Sequence, residues 1–147
     1  MKVVIGYGST LHSDDAVGCR VAEIVQAWQW HEVLAIATPQ LLPEHAAALA
    51  QAELAVFVDA IDDPEANGCG IDRLIPNLVP DAAPASNHFS SPQNLLALTH
   101  KLFGVAPMAY QVAIPGRNFG LGFGLSSVAA HGIETALWAV KGLCADG

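Results

Sequence analysis

Basic residues are scarce in this chain: 6 Lys and Arg stand against 14 Asp and Glu, a formal net charge of −8. A surface so poor in cations cannot track a phosphate backbone, so nucleic acid is excluded as the expected partner. Long apolar runs are missing too. No stretch reaches the roughly 18 to 20 residues that span a bilayer, and the N-terminus enters a strand-like segment without a signal-peptide pattern. The sequence therefore predicts a cytoplasmic protein with no membrane contact. Cysteine is sparse and odd in number. Cys19, Cys69 and Cys144 lie far apart, which builds neither a disulfide framework nor a CxxC metal site and fits reduced structural thiols. No internal repeat, heptad pattern or low-complexity tract is visible. What is abundant is apolar surface: 52% hydrophobic against 14% charged residues over 147 positions excludes disorder and predicts one globular domain spanning 1–147.

Strand-like and helix-like segments alternate along the chain. Met1 to Ile5 is β-rich and apolar, Ala16 to Trp28 repeats its apolar residues at helical spacing, Val33 to Ala37 reads as a second strand, and Pro43 to Ala52 as a second helix with proline in its first turn. Leu54 to Val58 is continuously apolar, as a parallel strand buried on both faces should be. After a loop-like Asp62 to Gly70, the reading continues with a short strand at Ile71 to Ile75, a Pro- and Ala-rich excursion from Pro76 to Ser86, a helix from Ser91 to Phe103, a strand at Ala109 to Ile114, and a final helix from Ser126 to Leu143. Pro115 to Gly124 holds four glycines and is expected to be a mobile functional loop. The order βαβαβ predicts a three-layer α/β domain: a twisted, mostly parallel sheet of about five strands with helices on both faces.

Gly6-Tyr7-Gly8-Ser9-Thr10-Leu11-His12-Ser13-Asp14-Asp15 is the segment richest in chemistry, because an apolar strand runs into two glycines and two adjacent carboxylates just before a helix. If the first three strands take the order 2-1-3, strands 1 and 3 flank a topological switch point, where doubly wound sheets bind ligands. Asp15 in the turn after strand 1 and Asp59 at the end of strand 3 then meet at one crevice, and His88, just before the third helix, falls on the same edge. Two carboxylates and an imidazole form an open three-ligand set, which suits a catalytic divalent cation and hydrolysis.

These residues resemble the hydrogenase maturation endopeptidases, which trim the C-terminal extension from the large subunit of nickel-iron hydrogenases. The likeness lies in a GxGxxLxxDDxxG segment from Gly6 to Gly18, the tripeptide Val58-Asp59-Ala60, the SxH element Ser86-Asn87-His88, and Gln40-Leu41-Leu42-Pro43-Glu44 as a QLxPE stretch. The resemblance implies Asp15, Asp59 and His88 as catalytic, metal-contacting residues, with Gly8 and Gln40 as candidate substrate contacts. It implies nickel as the metal, supplied by the substrate and not held permanently, and a large-subunit precursor as the partner of a monomeric enzyme. Nickel would be the recognition signal and would activate water or the scissile carbonyl without a Ser or Cys nucleophile. Ser9 departs from the Asn of many relatives, and the Gly116 to Gly124 stretch is longer and richer in glycine than theirs.

Other readings remain open on the residues alone. Gly8 is either a tight-turn glycine or a site of close substrate approach. Leu11 occupies the place of the third glycine of a dinucleotide fingerprint, which argues against such a site. Asp14 is expected to be structural, capping or charge-complementing the first turn of helix 1 and leaving Asp15 for the crevice, and His12 is the rival ligand to His88. His31, His45, His100 and His131 read as surface or satisfied-core residues, and Trp28 and Trp30 as packing. A hydrolase with its own zinc or magnesium, and a nickel-binding assembly chaperone without peptidase activity, are the alternatives to a nickel-gated protease.

Overall fold

A computed structural model describes residues 1–66, 68–76 and 91–145 of the chain. Five strands, β1 (Lys2–Tyr7), β2 (Val33–Thr38), β3 (Leu54–Ile61), β4 (Gly70–Leu74) and β5 (Met108–Pro115), form one sheet in the order β2-β1-β3-β5-β4. β1 pairs in parallel with both β2 and β3, β3 in parallel with β5, and β4 runs antiparallel along the outer side of β5. The order 2-1-3 expected from the βαβαβ start is present, and with it the switch point between β1 and β3.

Both sheet faces are covered by helices. On one face α1 (Val17–Trp28) and α4 (Ser127–Cys144) bury Val17, Val21, Val25, Ala136 and Val140 against Val4, Val56, Val58, Val112 and Ile114. On the other, α2 (Ala46–Ala50) and α3 (Pro92–Phe103) pack Leu49, Leu95 and Leu96 against Val3, Ile5, Ala55 and Phe57. Alternate residues of β3 serve opposite cores, which explains why its sequence is apolar without interruption.

Local chemistry sets the helix ends. Ser91 caps α3 by accepting the Asn94 N–H at 3.1 Å, Pro92 opens it, and Gly104 closes it at φ 78°. Ser126 caps α4 through the Ala129 N–H at 3.1 Å. The expected helix from Pro43 to Ala52 is shorter than its pattern: a 3-10 turn over Pro43–His45 precedes a five-residue α2. β1 and β3 run past their expected ends, because Tyr7 still pairs with Thr38 and Ile61 with Pro115. Trp28 and Trp30 stack with centroids 5.0 Å apart, so they are packing residues as expected. The three cysteines are free thiols, and among the described residues no helix is long and apolar enough to cross a membrane.

Candidate functional site

The site lies where the parallel strands β1, β2 and β3 end. Close packing brings α1 against these ends, and three glycines allow it. A Cβ on Gly6 would strike the Gly18 carbonyl, one on Gly18 would strike the Val58 carbonyl and come within 2.7 Å of the Tyr7 carbonyl, and one on Gly8 would strike the carbonyl of Asp15. Gly8 also has φ 139°, a region that only glycine enters freely. Gly8 thus has a structural need within its own chain, apart from any substrate contact. The turn folds over a 3-10 segment, Ser13–Ala16, and delivers Asp15 beside β1, where its Oδ2 accepts the Ser9 N–H at 2.7 Å.

Asp59 comes from β3, opposite Ala113 of β5. Its Oδ1 accepts the Ala60 N–H at 2.8 Å. Burial pushes Asp59 up to a pKa of about 6. The Ala60 hydrogen bond and the neighbouring Tyr7 hydroxyl oppose that rise, and the negative charge of Asp15 adds to it. Asp15, in the turn after β1, and Asp59, on the neighbouring β3, are near enough for the charge of one to act on the other. Two carboxylates that repel each other form an incomplete oxygen-donor set, and a divalent cation between them would relieve the repulsion.

The third predicted ligand, His88, lies outside the described residues together with Ser86 and Asn87. Among the described residues no group of three or more His, Cys, Asp or Glu side chains is placed to hold a metal. His12 is exposed, and its Nδ1 sits 2.7 Å from the Ser9 hydroxyl. Gln40 is exposed just beyond β2 on the same sheet edge, its carbonyl bound by the Thr38 hydroxyl at 2.8 Å. His31 and His131 are exposed, paired with Glu32 and Glu134, and the His45 Nδ1 accepts the Leu42 N–H at 3.0 Å.

Asp14 is structural, as expected, but by other contacts than a helix cap. It does not cap α1, whose start carries no side-chain cap. It is fully buried, and its carboxylate accepts the N–H groups of Arg117, Asn118 and Ser126 at 2.7, 3.0 and 2.8 Å and the Ser126 hydroxyl at 2.7 Å. Burial alone would raise its pKa, but the Ser126 hydroxyl and the three backbone donors together hold it below the usual carboxylate value.

The same contacts correct the reading of the glycine-rich segment as a mobile loop. Besides Asp14, Ser13 N–H to Gly122 O and Gly122 N–H to Leu11 O, each 2.9 Å, stitch it to the Asp-bearing turn. The Ser13 hydroxyl bonds the Gly120 carbonyl at 2.8 Å. Arg117 extends the frame by donating to the Asp63 and Ala66 carbonyls at 3.2 and 2.9 Å. The sequence offered one unread signal for this frame: a buried acid needs donors, and a run of small residues with free N–H groups supplies them.

No family model and no curated protein matches the chain in sequence. Solved structures do match in fold. The NiFe hydrogenase maturation protease HycI from Thermococcus kodakarensis KOD1 superposes with a TM-score of 0.73 at 21% identity, covering 99% of this chain and 92% of its own. The maturation protease HybD from Thermococcus kodakarensis gives 0.74 at 20% identity, covering 97% of both chains. The hydrogenase maturating endopeptidase HybD from E. coli gives 0.68 at 24% identity, covering 96% of this chain and 90% of its own. Over nearly its whole length, this chain has the fold of the NiFe hydrogenase maturation proteases.

Proposed function

We propose that the protein is an endopeptidase that removes the C-terminal extension of a nickel-iron hydrogenase large-subunit precursor once nickel has been inserted. The observation that carries this reading is the pairing of Asp15 and Asp59 at the β1–β3 switch point, on a fold whose solved examples are named as hydrogenase maturation proteases. In this reading Asp15, Asp59 and His88 hold the nickel that arrives with the substrate. Bound there, the substrate's nickel would supply polarisation of the scissile carbonyl or of the attacking water. Gln40 and the backbone at Gly8 lie along the same edge and would meet the extended peptide.

The deciding experiment mixes the protein with nickel-loaded and nickel-free precursor and follows the mass of the large subunit. Loss of a C-terminal peptide from the loaded form alone supports the reading, whereas cleavage of both forms or of neither overturns nickel gating. Nickel binding with no shortening of the precursor would identify an assembly chaperone instead. Stoichiometric zinc retained through purification without chelators would identify a hydrolase with its own metal.

A further inference from the structure

We propose that Leu11, Leu121 and Phe123 form an apolar platform beside the crevice that docks an extended segment of the precursor, one carrying apolar side chains next to a Lys or Arg. The identity of the partner rests on the peptidase reading of the site. Leu121 is 82% exposed, Phe123 75% and Leu11 54%. Exposed apolar residues scattered singly are ordinary, but these three stand together. His12 pairs in parallel with Gly122, which sets Leu11 level with Leu121 and Phe123 one position beyond the pair.

The segment that presents them spans the site. It leaves β5 where the Gly116 N–H donates to the Ile61 carbonyl at 2.9 Å, two positions past Asp59 on β3. It then reaches the turn that carries Asp15, where the Ser13 N–H donates to the Gly122 carbonyl and the Gly122 N–H to the Leu11 carbonyl, each at 2.9 Å. The platform is thus joined through backbone to the strand of one site carboxylate and the turn of the other. The Ser13 hydroxyl on the Gly120 carbonyl and the Asp14 carboxylate on the Arg117 and Asn118 N–H groups fix it further. Large apolar side chains held in water on a fixed backbone lose little freedom when a partner covers them, so their burial contributes to affinity with a small ordering cost.

Charge selects the occupant. Asp62, Asp63 and Glu65 are exposed on the loop after β3, and Arg117 ties that loop to the platform segment through the Asp63 and Ala66 carbonyls. Arg117 is the one cation in the sequence from Gly116 to Gly124, in a chain of net charge −8. The rim of the platform is therefore acidic. A second copy of this chain would bring the same excess of negative charge against it and be repelled, whereas an apolar segment with a neighbouring Lys or Arg matches both the platform and its rim.

The double variant Leu121→Ser/Phe123→Ser tests the platform. With nickel-loaded precursor KM should rise about tenfold or more while kcat stays within about twofold, because docking away from the reacting bond binds substrate and transition state alike. The Kd for nickel-free precursor, read by fluorescence anisotropy, should rise by a similar factor. Asp62→Asn/Glu65→Gln should weaken that binding at about 0.02 M salt and match wild type at about 0.5 M, where exposed charges are screened. An unchanged KM in the Leu121→Ser/Phe123→Ser protein overturns the platform. A fall in its melting temperature would show that the chain's own residues cover these side chains, and a wild type that sediments as a dimer beside a monomeric double variant would show that a second copy does; either result overturns the proposal. Equal affinity of the acid variant and wild type at low salt overturns the basic residue in the partner. A wild-type protein that binds precursor but cuts neither form overturns the peptidase reading, and the platform then stands or falls on whether the double variant loses that binding. A wild type that binds neither form overturns both.

Discussion

Asp14 and Ser126 are 112 positions apart, yet the Asp14 carboxylate accepts both the N–H and the hydroxyl of Ser126, at 2.8 and 2.7 Å. Ser126 is at the same time the cap of α4, its oxygen accepting the Ala129 N–H. One buried acid therefore joins the turn that carries Asp15 to the start of the last helix.

Replacing Asp14 with Ala should destabilise the protein by roughly 3 to 5 kcal/mol, because several buried donors lose a charged acceptor together. Its pKa is lowered in the folded state, so the stability it contributes is present above its unfolded value and is lost as pH falls through the folded one. Urea unfolding between pH 2.5 and 7 should show wild type converging on Asp14→Ala at the acid end. Parallel curves over the whole range would contradict the role assigned to the ionised carboxylate.

Asp59 carries the opposite sign. Its pKa is raised to about 6 from 3.8, so the native state binds the extra proton. Stability is highest below the unfolded value and declines as pH rises from about 4 to about 6. Asp59→Asn should abolish cleavage yet raise stability at pH 7.5 by about 1 to 3 kcal/mol, with no gain at pH 3.5. Thermal melts at the two pH values test this, and a variant less stable at pH 7.5 would refute the assigned cost of the buried charge.

The glycines of the first turn should separate cleanly from those elsewhere. Gly18→Ala places a methyl against the Val58 and Tyr7 carbonyls, backbone atoms that cannot rotate away, and should cost at least about 3 kcal/mol as an overpacked site. Gly142→Ala, within α4 and with nothing near its added methyl, should stabilise by about 0.5 kcal/mol through helix propensity. Chemical denaturation of both variants gives the comparison, and similar effects would mean that α1 does not press on the strand ends.

Asp15→Asn and His88→Ala should each eliminate shortening of nickel-loaded precursor, with circular dichroism unchanged. His100→Ala, at an exposed position of α3, should leave it intact. Full activity in His88→Ala would remove the imidazole from the ligand set and return His12 as the candidate.

Much of the fold was legible because its signals are local. The unbroken apolar run of β3, the helical spacing of α1, and Ser91-Pro92 before α3 each act over a few residues, and neighbouring residues decide them in the same way in any context. The pairing of Asp15 with Asp59 was legible for a related reason: the switch point follows from strand order, and strand order was constrained by the βαβαβ start. Asp14 was misread because an acid before a helix has two ways to satisfy its oxygens, and the local one, capping, is the only one visible in the sequence. The glycine-rich segment was misread for the same cause, since its N–H donors find their acceptors more than a hundred residues upstream.

By itself, the sequence determined the α/β alternation, the parallel core and the edge at which two carboxylates meet, because hydrophobic periodicity and turn chemistry depend on neighbours along the chain. Only the tertiary structure decided that Asp14 is a buried anchor for the start of α4 and not a cap of α1, and that Gln111 reaches across to the Tyr7 hydroxyl. Those contacts depend on the register between strands and on where α4 returns to the sheet, and hydrogen bonds formed across such distances leave no periodic trace in the sequence.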